Sequence, residues 1–406
     1  MLAHRNSRSP LGYVLTALAV LSFFFYHRNI VTSHVTSTLR TTKTSGASQA
    51  PQLAPANSTL GFGGLYVVSG PGSPRRQHLE EAAAITELNF TIPTQIAWTD
   101  EDVRNFRPEH EEESNILTGS IKAWMSHHVV LNDFLDSGLE TALIFEDDVD
   151  WDIRLRTKQV PLAQQAVQEM RNGEGSFDKN AYPWGTKGDW DLLYIGHCGD
   201  FFGEAQQSVG VGHHHPEQLQ DTPFVLYEDP TLQWRTDLHP FTASLLTAFR
   251  IPEQTRVVHK SQWPLCTFGY AVTREAAKRI IEEIAPAHED PSRNLAAYDA
   301  AILTGCRDGP LKCLTVTPEL FHHMEGESLI ADEEQEEREV FRPPVDRAGV
   351  EQVKYRKETS NIGCGFWDGS FYYGDDADRF EFLVEEVGRK GQCLKPGRDP
   401  KTGLPV

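Results

Sequence analysis

The 406-residue chain is short of basic residues, and this shortage excludes one broad class of protein. It contains 38 Lys and Arg against 58 Asp and Glu, a formal net charge of -20. A nucleic-acid-binding protein needs a basic face for the phosphate backbone, and no basic stripe occurs in this sequence. We therefore expect no nucleic-acid partner. The acidic balance by itself indicates no particular substrate.

Cysteine is also scarce, and its spacing excludes a zinc ribbon. None of the six cysteines forms a CxxC pair, which is the spacing that such zinc sites use. An even number of cysteines in an oxidising compartment predicts disulfide bonds, but fifteen pairings are compatible with six cysteines. The cysteines are Cys198, Cys266, Cys306, Cys313, Cys364 and Cys393.

Long apolar runs are absent apart from one near the start of the chain. Leu11 to Tyr26 contains no charged residue and follows Arg5 and Arg8. A helix of this length spans about 24 Å, enough for a thin bilayer. A removable signal peptide is the alternative, but no small-x-small cleavage site follows. We predict a cytosolic tail (1–10), an uncleaved transmembrane signal anchor (11–27) and a flexible Ser/Thr/Pro-rich stem (28–60).

Apolar strands alternate with helices from residue 61 to 395, and this pattern predicts an α/β fold with a mostly parallel sheet. The long polar segment 203–263 is predicted to be a functional flap or an insertion. Residues 396–406 are predicted to be a tail. The expected strands are 65–69, 94–98, 141–145, 190–196, 266–272 and 312–316, and the expected helices are 74–88, 119–136 and 273–284.

The sequence TALIFEDDVDWDIR (residues 141–154) runs an apolar strand directly into five carboxylates. Ligands in open α/β sheets bind beyond the carboxyl ends of strands, and side-chain alternation predicts that Glu146 and Asp148 face one way and Asp147 the other. Two such carboxylates can hold a divalent cation together with water and substrate phosphates. A calcium loop is excluded, because Ile153 and Gln159 stand where an EF-hand needs Gly and Glu. A solvated acidic turn remains the alternative.

Several blocks together resemble glycosyltransferase family 25, the lipopolysaccharide-type and collagen-modifying galactosyltransferases. They are LYVVSGPGSPRRQHLE, TGSIKAWMSHHVVLNDFLDSGLETALIFEDDV, WDLLYIGHCG, TFGYAVTREAAKRII, YDAAIL and PELFHHMEGES, in the family's order between residues 61 and about 329. The resemblance implies a GT-A-like, Rossmann-type fold in a single catalytic domain. It also implies a divalent metal, usually manganese, and a nucleotide-sugar donor such as UDP-galactose, with inversion at the anomeric carbon.

The resemblance also assigns metal-binding residues. Glu146 and Asp148 match the family's acidic metal and diphosphate motif, with Asp147 between them as a donor-binding residue. His322 and His323 follow the last predicted strand, where a late histidine completes the metal site of several inverting GT-A enzymes. Adjacent strand residues face opposite ways, so we expect only one of the two, and we assign His323.

The other donor-site residues follow from the same blocks. Arg75 and Arg76 match the basic pair after the first strand, where a guanidinium can meet the nucleotide or its phosphates. Ser126 and His127 match the Ser-His pair on the helix before the acidic motif. Asp191 matches the WDLLYLG block. Each has an ordinary structural alternative: a solvated arginine, a core histidine or a backbone hydrogen-bond acceptor.

Asp299, in AAYDAAIL, matches the family's Asp at the head of a late helix and is the predicted catalytic base. An N-cap carboxylate is its structural alternative. The chain has one such domain and closes on KTGLPV without a retention tetrapeptide, which favours a single-pass type II membrane protein of the Golgi, or of the endoplasmic reticulum, with a lumenal catalytic domain.

The prediction for function is a metal-dependent, inverting hexosyltransferase that acts on a glycan or glycoprotein acceptor in the secretory pathway. A catalytically silent relative that binds glycans or a partner enzyme is the first alternative. A metal-dependent hydrolase of nucleotide sugars is the second.

Overall fold

A computed structural model of the chain describes residues 53–110, 114, 116–172, 182–185, 188–202, 219–324 and 358–406. These residues form a mixed β-sheet flanked by helices, so the α/β prediction is confirmed at this level, and the arrangement is compatible with a Rossmann-like fold. The predicted cytosolic tail, the anchor, most of the stem and residues 203–218 of the long polar segment lie outside the described residues.

The strands are β1 (Gly64–Val68), β2 (Thr141–Glu146), β3 (Val149–Trp151), β4 (Leu192–Gly196), β5 (Gly199–Asp200), β6 (Phe224–Glu228), β7 (Thr255–Lys260), β8 (Pro264–Leu265), β9 (Gly269–Thr273), β10 (Cys313–Thr317) and β11 (Phe321–His323). The helices are α1 (Arg76–Thr86), α2 (Asp100–Phe106), α3 (Thr118–Asp136), α4 (Val160–Asn172), α5 (Pro240–Ala248), α6 (Arg274–Arg279), α7 (Tyr298–Arg307) and α8 (Ala377–Leu383). Within the described ranges, no helix is both long enough and apolar enough to cross a bilayer.

The main sheet has the order β1-β2-β9-β4-β10-β7-β6. Strands β1 and β2 are parallel, as are β4 and β10, whereas β9 lies antiparallel between β2 and β4. The short β11 joins β4 in parallel and β3 in antiparallel register. The ends of β1, β2, β4 and β10 and the start of β9 therefore meet at one edge of the sheet. The candidate site lies at this edge.

The central strands are apolar on both sides, and helices cover both faces of the sheet. Along β2, Leu143 and Phe145 belong to the core on one face, whereas Ala142 and Ile144 belong to the core on the other. Helix α1 packs on the first face through Leu79, and α3 covers the second. Thr273 caps α6 as predicted, since its side chain accepts a hydrogen bond from the Ala276 N–H.

Two sequence-based predictions about the sheet are wrong. Residues 94–98 do not form a strand; the β1 edge is instead bridged at Thr91, and Trp98 turns inward to donate to Ser126. The predicted long insertion is also incorrect for residues 219–263, which supply β6, α5 and β7. Buried polar residues obscured the β7 pattern, because Arg256 lies inside the protein paired with Asp229 at 2.6 Å.

The six cysteines form three disulfides: Cys198–Cys266, Cys306–Cys313 and Cys364–Cys393. Disulfide formation was predicted, but the pairing was not. The third bond ties the segment after residue 358 to the last part of the chain. Residues near the C-terminus also pack onto the body, since the buried Arg154 donates to the Lys401 carbonyl at 3.0 Å.

Candidate active site

The acidic run enters the site through a turn. Strand β2 ends at Glu146, and Asp147 and Asp148 form a turn before β3 begins. Arg75, at the start of α1, lies 3.6 Å from Asp147 and 3.4 Å from Asp148. The predicted alternation of these acids therefore does not hold: the strand has already ended, so Asp147 and Asp148 both face Arg75.

Asp147 is held by the residue that follows the neighbouring parallel strand, β1. The Ser69 hydroxyl, directly after β1, donates to Asp147 Oδ2 at 2.6 Å. Arg76 donates to Ser69 Oγ at 2.8 Å and to the Ser69 and Gly70 carbonyls. The two predicted arginines thus differ: Arg75 faces the acids, whereas the guanidinium of Arg76 fixes the turn between β1 and α1.

Glu146 faces a separate, aromatic wall. Its carboxylate accepts a hydrogen bond from Thr267 at 3.2 Å and lies 3.6 Å from His127 Nε2. The buried His127 ring stacks on Tyr298 at 4.4 Å, and its Nδ1 is 3.2 Å from the Tyr270 hydroxyl. Helix α3 thus places the buried His127 beside Glu146 of the acidic cluster, with its position fixed by two tyrosines.

His323 completes the cluster from β11. Its Nε2 lies 3.1 Å from Asp148 Oδ2. The pairing of β11 with β3 sets this contact, because Met324 N–H donates to the Asp148 carbonyl at 2.7 Å. His322 contacts the buried Glu319 instead. Strand alternation therefore selects His323, the residue assigned from the sequence.

The contact between His323 and Asp148 shifts the pKa of both groups. Burial alone would raise the pKa of the Asp148 carboxyl, but the hydrogen bond and charge of His323, together with Arg75, lower it below its ordinary value. Burial alone would lower the pKa of His323, but Asp148 and Glu146 raise it. The pair therefore favours a carboxylate beside a positively charged imidazole.

One atom in the cluster remains without a hydrogen-bond partner. Asp148 Oδ1 is buried and has none, and a buried acceptor in this condition is rare and costly. Carboxylate oxygens suit Mg²⁺ or Mn²⁺, and an imidazole can accompany them. Glu146, Asp148 and His323 therefore fit a divalent cation by chemistry. Among the described residues, however, no three His, Cys, Asp or Glu side chains are grouped closely enough to form a ligand set.

The cluster opens to solvent on one side. The side chains of Glu146, Arg75 and His323 are 25%, 23% and 31% exposed, whereas Asp147 and Asp148 lie beneath them at 9% and 12%. Arg75, His323 and Glu146 are therefore the side chains of the cluster that are most accessible to a ligand, and Asp147 and Asp148 are less so.

Asp299 is positioned by the Cys198–Cys266 disulfide segment. Its carboxylate accepts hydrogen bonds from Cys266 N–H at 3.2 Å and from Ala300 N–H at 2.7 Å. Burial raises the pKa of Asp299, and the charge of Glu146 raises it further, although the two hydrogen bonds oppose this. Asp299 is the second residue of α7, so its carboxylate lies at the helix start and near the acidic cluster.

Two predicted donor-site residues are not brought to the cluster by any direct contact. Ser126 accepts from Trp98 Nε1 at 2.9 Å and donates to the Lys122 carbonyl at 2.8 Å. Asp191 precedes β4, at the sheet edge opposite Glu146, and accepts from Lys312 N–H at 2.9 Å. These contacts match the structural alternatives that the sequence left open for both residues.

Sequence reasoning missed the residues that position the cluster. Ser69, Thr267 and the two tyrosines Tyr270 and Tyr298 contact Asp147, Glu146 and His127. The available signal was weak: Ser69 is a polar residue directly after an apolar strand, and Tyr298 immediately precedes Asp299.

Comparison with protein-family models yields no match, and no curated protein is significantly similar in sequence.

Proposed function

We propose that this protein is a metal-dependent, inverting glycosyltransferase that moves a hexose, most plausibly galactose, from a nucleotide sugar to a glycan or glycoprotein acceptor. The proposal includes a GT-A-like fold and a membrane-anchored, lumenal location. The observation that carries it is the buried, unpartnered Asp148 Oδ1 beside His323 at the sheet edge where α/β proteins bind ligands. The sequence blocks that resemble family 25 also support it.

In this proposal Glu146, Asp148 and His323 hold the cation, with Mn²⁺ as the first candidate. When bound, such an ion neutralises negative charge on the departing diphosphate. Arg75 contributes a positive charge 3.4 Å from Asp148, and its side chain is partly open to solvent. Arg76 keeps the turn before Arg75 in place through its three hydrogen bonds to Ser69 and Gly70.

Transfer with inversion breaks the bond between the anomeric carbon and the diphosphate oxygen. A bond to the acceptor oxygen forms on the opposite face, and the acceptor proton passes to a base. Asp299 takes the base role in this proposal. The Cys266 and Ala300 N–H groups orient its carboxylate. His127 is held by Tyr298 and Tyr270 and limits the space beside Glu146.

Nucleotide release from a panel of nucleotide sugars tests the proposal. The full-length chain should release nucleotide from one UDP-hexose only when a divalent ion is present, and faster when a glycan acceptor is added. Asp299→Asn should lower the transfer rate by at least about a hundredfold while donor affinity is kept. Equal nucleotide release with and without any acceptor would instead indicate a nucleotide-sugar hydrolase.

A catalytically silent relative is favoured by a different observation. Arg75 and His323 already balance Asp147 and Asp148 without a metal ion. Calorimetry with Mn²⁺ decides between the two functions: binding that depends on Asp148 supports the transferase, and no binding at millimolar concentrations supports the silent relative.

A further inference from the structure

A shallow groove runs along α1, on the same helix face as Arg75. His78, Ala82 and Ile85 follow Arg75 at three- and four-residue spacing, which places all four on one stripe. His78 lies only about 4.5 Å further along the helix axis than Arg75. Glu81 joins the wall of the groove from the neighbouring row. The groove therefore begins next to the candidate active site.

The opposite wall is aromatic. Phe366, Phe371 and Tyr372 line it. Phe366 and Phe371 are buried and pack at 5.4 Å, whereas Tyr372 is 58% exposed. The groove is shallow and open to solvent, with a cavity volume of only about 40 Å³, so a ligand ring would lie on it against Tyr372 and not be enclosed by it.

The aromatic wall is fixed by contacts that its own sequence does not predict. Asp150 accepts a hydrogen bond from the Phe366 N–H at 2.7 Å. Arg379 donates to the Tyr372 carbonyl at 2.6 Å and to the Ser370 carbonyl at 3.2 Å. Gly369, with φ of +72°, allows the chain to turn between Phe366 and Tyr372. The backbone that carries the exposed Tyr372 is thus held in place before any ligand binds.

The chemistry of the two walls favours a neutral saccharide. A hexose ring has an apolar C–H face that packs on an aromatic ring, and a rim of hydroxyl groups that needs hydrogen-bond partners. Tyr372 supplies the ring, and Glu81 and His78 are the polar residues of a mostly apolar lining; one Glu81 carboxylate oxygen also accepts a hydrogen bond from Gln77 at 3.0 Å. The Glu81 carboxylate disfavours a phosphate or another anion.

We infer that this groove binds one neutral sugar unit of the acceptor, with Tyr372 as the stacking platform and Glu81 as a hydroxyl partner. This inference rests on the proposed transferase function, since it assigns the acceptor to a position beside Arg75.

Saccharide binding to the purified full-length chain tests the inference without donor or metal. The probes are methyl β-galactoside, methyl α-mannoside and N-acetylglucosamine, followed by saturation-transfer NMR. We expect at least one to bind, with Tyr372→Ala weakening it about tenfold. Glu81→Gln should weaken it about threefold, whereas Tyr372→Phe should bind like the wild type because the ring is retained.

Phe382→Ala is the matched control. Phe382 is a similarly exposed aromatic residue, at 52%, on α8 and outside the groove, and its loss should leave binding unchanged. The inference is overturned if none of the probes binds, if Tyr372→Ala binds normally, or if Phe382→Ala weakens binding equally.

The two proposals fail separately. If the protein binds a saccharide through Tyr372 but does not turn over a nucleotide sugar, the transferase proposal is overturned. The sugar-binding groove then remains. With an active enzyme, Tyr372→Ala should raise the KM for the acceptor about tenfold, whereas the control Phe382→Ala should leave that KM unchanged. An unchanged KM overturns the acceptor assignment.

Discussion

The two halves of the acidic run have opposite surroundings, although they are separated only by Val149. Asp150 accepts hydrogen bonds from the Phe366 N–H and the Thr359 hydroxyl, both at 2.7 Å. Asp152 forms a two-point pair with the fully buried Arg154 and accepts from Cys364 N–H. In contrast, Asp148 has one unpartnered buried oxygen.

The difference separates a structural use of carboxylates from a candidate functional use. Asp150 and Asp152 hold the segment 358–367 and are hidden from solvent. Glu146 and the groups around Asp148 stand at an open sheet edge, with contacts of 3.1 to 3.6 Å from His323, Arg75 and His127. A buried carboxylate whose hydrogen bonds are all made within the protein has a structural role. A buried carboxylate with an unpartnered oxygen beside cationic side chains indicates a ligand site.

The largest effect is expected from Asp152→Ala. Arg154 would remain buried without its partner, and such a loss costs about 3 to 5 kcal/mol of unfolding free energy. Urea denaturation measures it. The double variant Asp152→Ala, Arg154→Met should recover part of the loss, because the uncompensated charge is gone. A loss below about 1 kcal/mol for Asp152→Ala would show that the pair does not stabilise the fold.

Asp148→Asn should abolish metal-dependent turnover without unfolding the protein. Loss of even an outer partner of a metal ligand costs about 10- to 100-fold, so we expect at least about a hundredfold fall in kcat/KM. The unfolding free energy should change by less than about 1 kcal/mol, because Asn keeps the shape of the side chain. Normal turnover in this variant would refute the assignment of Asp148 as a metal ligand.

Added Mn²⁺ should stabilise the wild-type protein and not Asp148→Asn. At one hundred times its dissociation constant a ligand adds about 2.7 kcal/mol, which thermal unfolding detects as a higher Tm. Thr359→Val, which alters only the structural half of the run, should keep the full shift. An equal shift in Asp148→Asn would place the ion elsewhere.

The smallest effect is expected from Thr359→Val itself. It removes one of the hydrogen bonds to Asp150, and Asp150 keeps its backbone donors, so the unfolding free energy should fall by about 1 kcal/mol. Ser370→Ala is a suitable control in chemical denaturation, since the contact recorded for Ser370 with Arg379 is made by its backbone carbonyl. A loss above about 3 kcal/mol would mean that Asp150 depends on Thr359 more than its contacts indicate.

Local patterns predicted five of the seven strands along the main path of the sheet and three of the eight helices in the described residues. Strands β1, β2, β4, β9 and β10 and helices α1, α3 and α6 were located from their apolar periodicity and from the Thr273 cap. Strand β7 was missed because it buries Arg256 and His259 among its apolar residues. Its neighbour β6 was missed with it. Such residues are tolerated inside only when distant partners satisfy them, and periodicity carries no information about those partners.

Of the candidate-site residues that the structure gathers, five lie next to strand ends. Glu146, Asp147, Asp148, Arg75 and His323 all follow or end strands that meet at one sheet edge. Asp191 precedes its strand and therefore lies at the other edge. The position of a residue before or after its strand is readable from the sequence, but the order of strands in the sheet is not.

By itself, the sequence determined that an apolar strand would deliver several carboxylates to its carboxyl end, because hydrophobic periodicity acts over a few residues. Only the tertiary structure decided which carboxylates became anchors. Asp150 meets Thr359 across 209 residues, and Asp152 meets Cys364 across 212. It also decided which of two adjacent histidines reaches Asp148, and which cysteines pair. These outcomes depend on contacts between distant segments, whose geometry exists only once the sheet has assembled.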